Sequence, residues 1–203
     1  LIPIGEAPIP NKEGEQLHID IFFAQKLKFL TCIDSYSKFL IVKYIEDKSN
    51  LEEKVLELLQ TFPNVKSIFI DNEPGLSTIQ FKSLMERINV QIYYCTPRHS
   101  TSNGQIERVH STLIEISRCL KQEHSLISNF ESIMRAVQQY NKTIHSVTGK
   151  QPCNILFNKE PHDNMKNVLQ NAQEKMLEHH NKKRLQKSYK KGDIIYEKIY
   201  GER

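Results

Sequence analysis

No run of 18 apolar residues occurs anywhere in the chain, which excludes a membrane-spanning helix. The opening Leu1-Ile2-Pro3-Ile4-Gly5 has neither the basic segment nor the cleavage pattern of a secretory signal, so the protein is not expected to be secreted. An initiating Met is also missing, so a fragment or processed product of a longer protein is expected. Cys32, Cys95, Cys119 and Cys153 are far apart and form no CxxC pair. That spacing argues against a disulfide framework or a cysteine-based zinc site, and for a reducing compartment. No internal repeat is visible.

What remains is the composition of one soluble domain with an appendage. The chain has 203 residues, 38% hydrophobic and 26% charged, which speaks against wholesale disorder. A chain of this size buries about 70% of its unfolded surface. Its 28 Lys and Arg against 24 Asp and Glu give a net charge of +4, which permits an anionic partner without requiring one.

Hydrophobic periodicity orders the elements. Residues 1–15, with three prolines and two glycines, read as a lead-in linker. Gln16–Ala24 alternates, with Leu17, Ile19, Ile21 and Phe23 on one face and His18, Asp20 and Phe22 on the other. Lys28–Ile33 and Phe39–Ile45 are two further strands around the turn Asp34–Lys38, making an antiparallel meander. A helix is predicted from Ser49, capped by the Ser49/Glu52 pair, with Leu51, Val55, Leu58 and Phe62 inward and Pro63 as its stop. Ser67–Ile70 is a buried strand. A second helix follows from the Ser77/Gln80 pair, and Val90–Tyr94 is a fifth strand. Cys95–Asn103 reads as a polar loop, with helices from about Gly104 and from about Leu126 to Ile144. Thr148–Phe157 is a connector, and Met165–His179 marks a long exposed helix.

Three carboxylates stand out by position. Asp20 sits in mid-strand, where Asp is depleted. Asp71 ends a buried strand. Glu107 lies in the first turn of its predicted helix. A strand centre, a strand end and a helix start are good places from which to converge oxygens on a hard cation such as Mg2+. Two such ions about 3.5–4 Å apart activate a nucleophile and stabilise the leaving oxygen of a phosphodiester. The plainer alternatives are a turn residue for Asp71 and a macrodipole partner for Glu107.

Thirty-five residues lie between Asp71 and Glu107. That interval, with LHIDIF around Asp20, FIDNEPG around Asp71 and TPRHSTSNGQIERVHSTL around Glu107, resembles the D,D-35-E integrases, most closely those of Ty3/gypsy-type LTR retrotransposons. The resemblance spans about residues 15–158. It implies an RNase H-like α/β fold: a five-stranded mixed sheet flanked by helices, with a C-terminal helical extension. It implies that Asp20, Asp71 and Glu107 are catalytic and bind two Mg2+ or Mn2+ ions. The implied activity is that of a polynucleotidyl transferase and endonuclease, trimming the 3′ ends of retroelement cDNA and joining them to target DNA. The expected partners are those cDNA ends, target DNA and further copies of the chain, as a dimer or tetramer. Action in the nucleus after residence in a cytoplasmic particle is expected. The alternative is a domesticated host protein that binds DNA or partners without catalysis.

The resemblance also suggests DNA contacts. Asn103, Gly104 and Gln105 open the Glu107 helix, whose first amides suit phosphate. His99, Arg108 and His110 flank them. Ser100 replaces the usual Pro, and Ser111 and Ile114 stand where retroviral enzymes carry lysines. The family's zinc-binding HHCC domain is missing and is expected upstream. The domain plan is therefore a linker over 1–15, a catalytic core over 16–158, a long helix and basic linker over 159–191, and the start of a β module over 192–203.

The charge is unevenly spread along this plan. Lys182, Lys183, Arg184, Lys187, Lys190 and Lys191 crowd into residues 179–191, which hold no acid. Without them the remainder is 22 basic against 24 acidic residues, a net −2. DNA binding through counterion release is therefore expected at the end of the long helix.

Overall fold

The computed structural model describes residues 8–46, 50–71, 73–94, 100–157 and 164–182, without the side chains of 100–103. Ser49, Asn72 and His99, the basic positions Lys183, Arg184, Lys187, Lys190 and Lys191, and the expected module over 192–203 lie outside the described residues.

Five strands form one mixed sheet in the order β3-β2-β1-β4-β5. β1 (Gln16–Ala24), β2 (Leu27–Asp34) and β3 (Leu40–Ile45) make the antiparallel meander; β4 (Ser67–Ile70) and β5 (Gln91–Tyr94) run parallel to β1. The parallel half requires crossovers. α1 (Leu51–Leu59) and α2 (Ile79–Arg87) supply them, with a short 3-10 turn at Pro74–Leu76. α3 (Ser100–Glu123), α4 (Asn129–Lys142), α5 (Pro152–Leu156) and α6 (Met165–Asn181) complete the described chain.

The sheet is buried on both faces. On one, Leu17, Ile19, Ile68 and Ile70 pack with Val55 and Leu58 of α1 and Phe81 and Met85 of α2. On the other, Phe22, Phe29, Ile33 and Leu40 pack with Ile106, Val109 and Leu113 of α3 and Ile133 and Ala136 of α4. Each fully buried side chain of this size contributes about 1.5–3 kcal/mol. The expected one-sided stripe of β1 therefore breaks down at Phe23, which is 59% exposed, while Phe22 is buried. The cause is length: β4 stops pairing at Ile19, and β1 runs on past it towards its hairpin.

Helix starts differ from the sequence expectation. α1 begins after Asn50, with no side-chain cap. Thr78, not Ser77, caps α2 by accepting from the Phe81 amide, while Ser77 Oγ donates to the Glu73 carbonyl. α4 begins later than expected, where Ser128 accepts from the Glu131 amide. The connector folds in part into α5. α3 starts at Ser100, four residues before the expected Gly104.

Two polar devices fix the framework. Asn141 of α4 accepts from the Leu40 amide (2.9 Å) and donates to the Leu40 carbonyl (2.8 Å), so its side-chain amide satisfies the free edge of β3 at its first residue. The buried Asp34 carboxylate accepts from the amides of Gly14, Tyr36 and Ser37 and from Ser37 Oγ. It shapes the β2–β3 turn and ties residues 8–15 to the domain. Gly14 is required there: its φ is +73°, and a Cβ would meet Phe62 at 3.0 Å.

Candidate functional site

The parallel ladder pairs Ile19 with Ile70. The next residue on β1 is Asp20 and the next after β4 is Asp71, so Asp20, in the middle of β1, is in register with the carboxyl end of β4, where Asp71 follows. Ligand sites in parallel sheets form at such carboxyl ends. Glu107 comes from α3, which crosses this face of the sheet through Ile106 and Val109.

Asp20 is half-buried, with a side chain 21% exposed; Asp71 and Glu107 are exposed. Its carboxyl is pushed up from the ordinary aspartate value to about 6. Loss of hydration is the main cause. The charges of Asp71, Glu107 and Glu73 add to it, against the hydrogen bond that Asp20 Oδ1 accepts from the Ile21 amide (2.8 Å). Three acids, two from the connection after β4 and one from α3, thus act on one half-buried carboxyl. Glu73 bonds through its backbone in the turn before α2, and its charge is the addition to the sequence triad. Among the described residues, no three His, Cys, Asp or Glu side chains are gathered tightly enough to enclose an ion. The donor chemistry nevertheless suits Mg2+ or Mn2+, because the carboxylates are hard oxygens whose mutual repulsion a divalent cation relieves.

His110 lies inward, 13% exposed, stacked on Phe22 at 4.5 Å between ring centres. Burial lowers its pKa to about 4, so it is neutral at pH 7. The buried Thr31 hydroxyl donates to the Asp20 carbonyl (2.9 Å), so the 2.8 Å contact between Thr31 Oγ1 and His110 Nε2 needs a proton on Nε2. Nδ1 is then the bare nitrogen, 4.0 Å from Asp20 Oδ2. Thr31 carries no motif signal. Only its register opposite Asp20 marks it, and that needs the strand pairing.

The expected DNA contacts are scattered. Because α3 starts at Ser100, Asn103, Gly104 and Gln105 are not its first turn, and Glu107 lies about two turns in. The helix-terminus reading of this stretch is corrected accordingly, and the macrodipole explanation of Glu107 falls with it. A Cβ at Gly104 would meet nothing within 4 Å, so the helix surface is open there. Arg108 is exposed and donates through Nε to the Gly104 carbonyl at 3.0 Å. Gln105 turns in and accepts from Lys38 Nζ at 3.1 Å. Lys182 caps the far end of α6 and is exposed.

No protein-family model matches the chain. It is 42% identical over 156 residues to the retrovirus-related Pol polyprotein from transposon gypsy of Drosophila melanogaster, covering 75% of this chain and 15% of that one. To the Pol polyprotein from transposon opus of the same organism it is 39% identical over 154 residues, with the same coverage. The chain thus spans a small part of these relatives' length. Among solved structures, it resembles the catalytic core domain of BIV integrase (TM-score 0.59, 18% identity, 72% of this chain and 95% of that one). It also resembles the HTLV-2 integrase catalytic core domain in complex with magnesium (TM-score 0.58, 14% identity, 71% and 97%). Among the described residues no helix is long and apolar enough to cross a membrane. The mixed five-stranded sheet, its flanking helices and the sequence identity lead to one assignment: the chain belongs to the gypsy/Ty3 Pol polyproteins and is their segment with the RNase H-like integrase core fold.

Proposed function

We propose that this core catalyses DNA integration: it trims the 3′ ends of retroelement cDNA and joins them to target DNA by metal-dependent phosphodiester transesterification. The observation that carries the reading is electrostatic. Asp20, beside the carboxyl end of β4, is held in a field to which Asp71 and Glu107 both contribute, and those are the three acids of the sequence signature.

Asp20, Asp71 and Glu107 would hold two Mg2+ or Mn2+ ions, which when bound neutralise the phosphate and activate the attacking oxygen. Asp20 is the fixed partner, anchored through the Ile21 amide and through Thr31. His110 is a positioning residue. Neutral and braced on Phe22, it holds the Thr31 hydroxyl without placing a competing positive charge beside Asp20. The open helix surface at Gly104 lets a DNA backbone approach, with Arg108 at its edge. Asn103, His99 and the basic positions from Lys182 to Lys191 would add phosphate contacts. The protein would work as a homo-multimer, in the nucleus, after import from a cytoplasmic particle.

The test is divalent-ion binding by the chain itself. Electron paramagnetic resonance of free Mn2+ should show uptake by the wild type, weakened roughly tenfold or more in Asp20→Asn, Asp71→Asn and Glu107→Gln. Equal uptake by all three variants would remove the metal assignment.

A further inference from the structure

Beneath α6 lies a cavity of about 500 Å³ that the chemistry above leaves largely unused. Its floor is the sheet, at His18 of β1 and Phe69 of β4, whose rings stack 4.8 Å apart. Ser35 and Lys38 enter from the β2–β3 turn and Gln105 from α3. The roof is the apolar side of α6, including Leu169, Ala172 and Met176. Glu107 and Arg108, both exposed, also reach its lining.

Five buried side-chain polar atoms among the described residues have no protein hydrogen-bond partner, and three of them belong to side chains that line this one cavity: His18 Nδ1, Ser35 Oγ and Gln105 Nε2. His18 is 8% exposed and Ser35 5%. A buried polar atom without a partner is destabilising, so three together require an explanation. Lys38, 7% exposed, is held in the left-handed region (φ +64°) by the turn that Asp34 organises. One of its three N–H groups serves Gln105 Oε1. Apart from the Glu107 carboxylate and His18 Nδ1, the groups left over are donors: Lys38 N–H, the Gln105 amide NH2 and the Ser35 hydroxyl. They outnumber what a carboxylate's two oxygens need and suit a phosphate's three terminal oxygens. A bare phosphate would leave most of the volume empty, and the size lies in the range of small-molecule pockets, about 300–1,000 Å³. The roof would cover an apolar body.

We propose that this cavity is a binding site for a small organic phosphate, its anionic head at Lys38, Ser35 and Gln105 and its apolar body under α6. The site adjoins the proposed cation site at Glu107, and its test requires no metal.

The probe is phenyl phosphate, titrated calorimetrically into the full 203-residue chain with EDTA present. One saturable site is expected, with inorganic phosphate binding at least roughly tenfold more weakly. Lys38→Met, which removes the charge, and Ala172→Trp, which fills the cavity from the roof, should each weaken phenyl phosphate by roughly tenfold or more. Circular dichroism and thermal melting establish that each variant is folded. Ala172→Trp, on a partly exposed helix position, decides the question if Lys38→Met fails to fold. No saturation at millimolar phenyl phosphate, wild-type affinity in folded Ala172→Trp, or equal affinity for inorganic phosphate would overturn the proposal.

Discussion

Ile19 on β1 and Ile70 on β4 are partners in the parallel ladder, and each is followed by an aspartate. This register brings the middle of β1, at Asp20, level with the carboxyl end of β4, at Asp71. A slip of one residue would turn Asp20 to the opposite face, into the packing of Leu17, Ile19 and α1. The fully buried Ile19, Ile68 and Ile70 forbid that slip, so the apolar core sets the site geometry.

The first expectation concerns Asp20 without metal. Its carboxylate is destabilised by burial and by three neighbouring acids. Asp20→Asn keeps an acceptor for the Ile21 amide and removes the charge. It should raise metal-free stability at pH 7.5 by about 1–3 kcal/mol, seen as a melting temperature a few degrees higher. The same variant should lose the increase in melting temperature that millimolar Mg2+ gives the wild type. A metal-free melting temperature lower than wild type would show that the charge is not strained.

Thr31 tests the support of the site. Thr31→Val keeps the shape, removes the bond to the Asp20 carbonyl and leaves the His110 Nε2 proton without its acceptor. A loss of about 1–3 kcal/mol in chemical denaturation is expected. Thr31→Ser should recover most of it, because it restores the hydroxyl and loses only a methyl group.

Acid should destabilise the fold through His145. Burial is the main cause of a pKa lowered to about 4, with the charges of Lys38 and Arg108 adding to it, and its Nδ1 accepts from the Val147 amide. The unfolded chain takes up this proton near pH 6.5, whereas the folded chain does so only near 4. The group's contribution to stability is therefore whole above pH 6.5 and lost as pH falls from 6.5 to 4, with a slope of at most about 1.4 kcal/mol per pH unit. Denaturant titrations of His145→Gln between pH 7 and 5 should be flatter than those of the wild type. Parallel curves would mean that His145 titrates alike in both states.

The basic stretch predicts a salt dependence. Deleting 182–191 removes six Lys and Arg and should weaken duplex binding. It should also reduce the slope of log affinity against log salt by up to about 5, at roughly 0.9 per phosphate contact. An unchanged slope would show that these charges are merely solvated.

Much of this architecture can be read from the residues. Alternation delimits β1, a carboxylate at a strand end delimits β4, and the element order follows from periods of two and 3.6. Boundaries fail where a cap must be chosen among neighbours, as with Ser77 against Thr78, because both side chains offer an oxygen and only the backbone angles decide. The start of α3 escapes the sequence because Ser, Thr and Asn favour loops locally, and the packing of Ile106, Val109 and Leu113 on the sheet overrides that preference. Periodicity misplaces Phe23 because it says nothing about where a neighbouring strand ends. The three acids are legible through their spacing. Thr31, Lys38 and Ser35 are not, since their importance comes from pairing register and from a turn built around Asp34.

The assignment of Asp20, Asp71 and Glu107 stands or falls most directly on strand transfer. The assay uses oligonucleotide ends with Mg2+ and this chain extended on both sides by the polyprotein sequence that adjoins it. Joining is expected for the wild type only when Mg2+ is supplied. Glu107→Gln should keep its DNA affinity and its melting temperature and lose joining altogether; joining retained by that variant would contradict the carboxylate assignment.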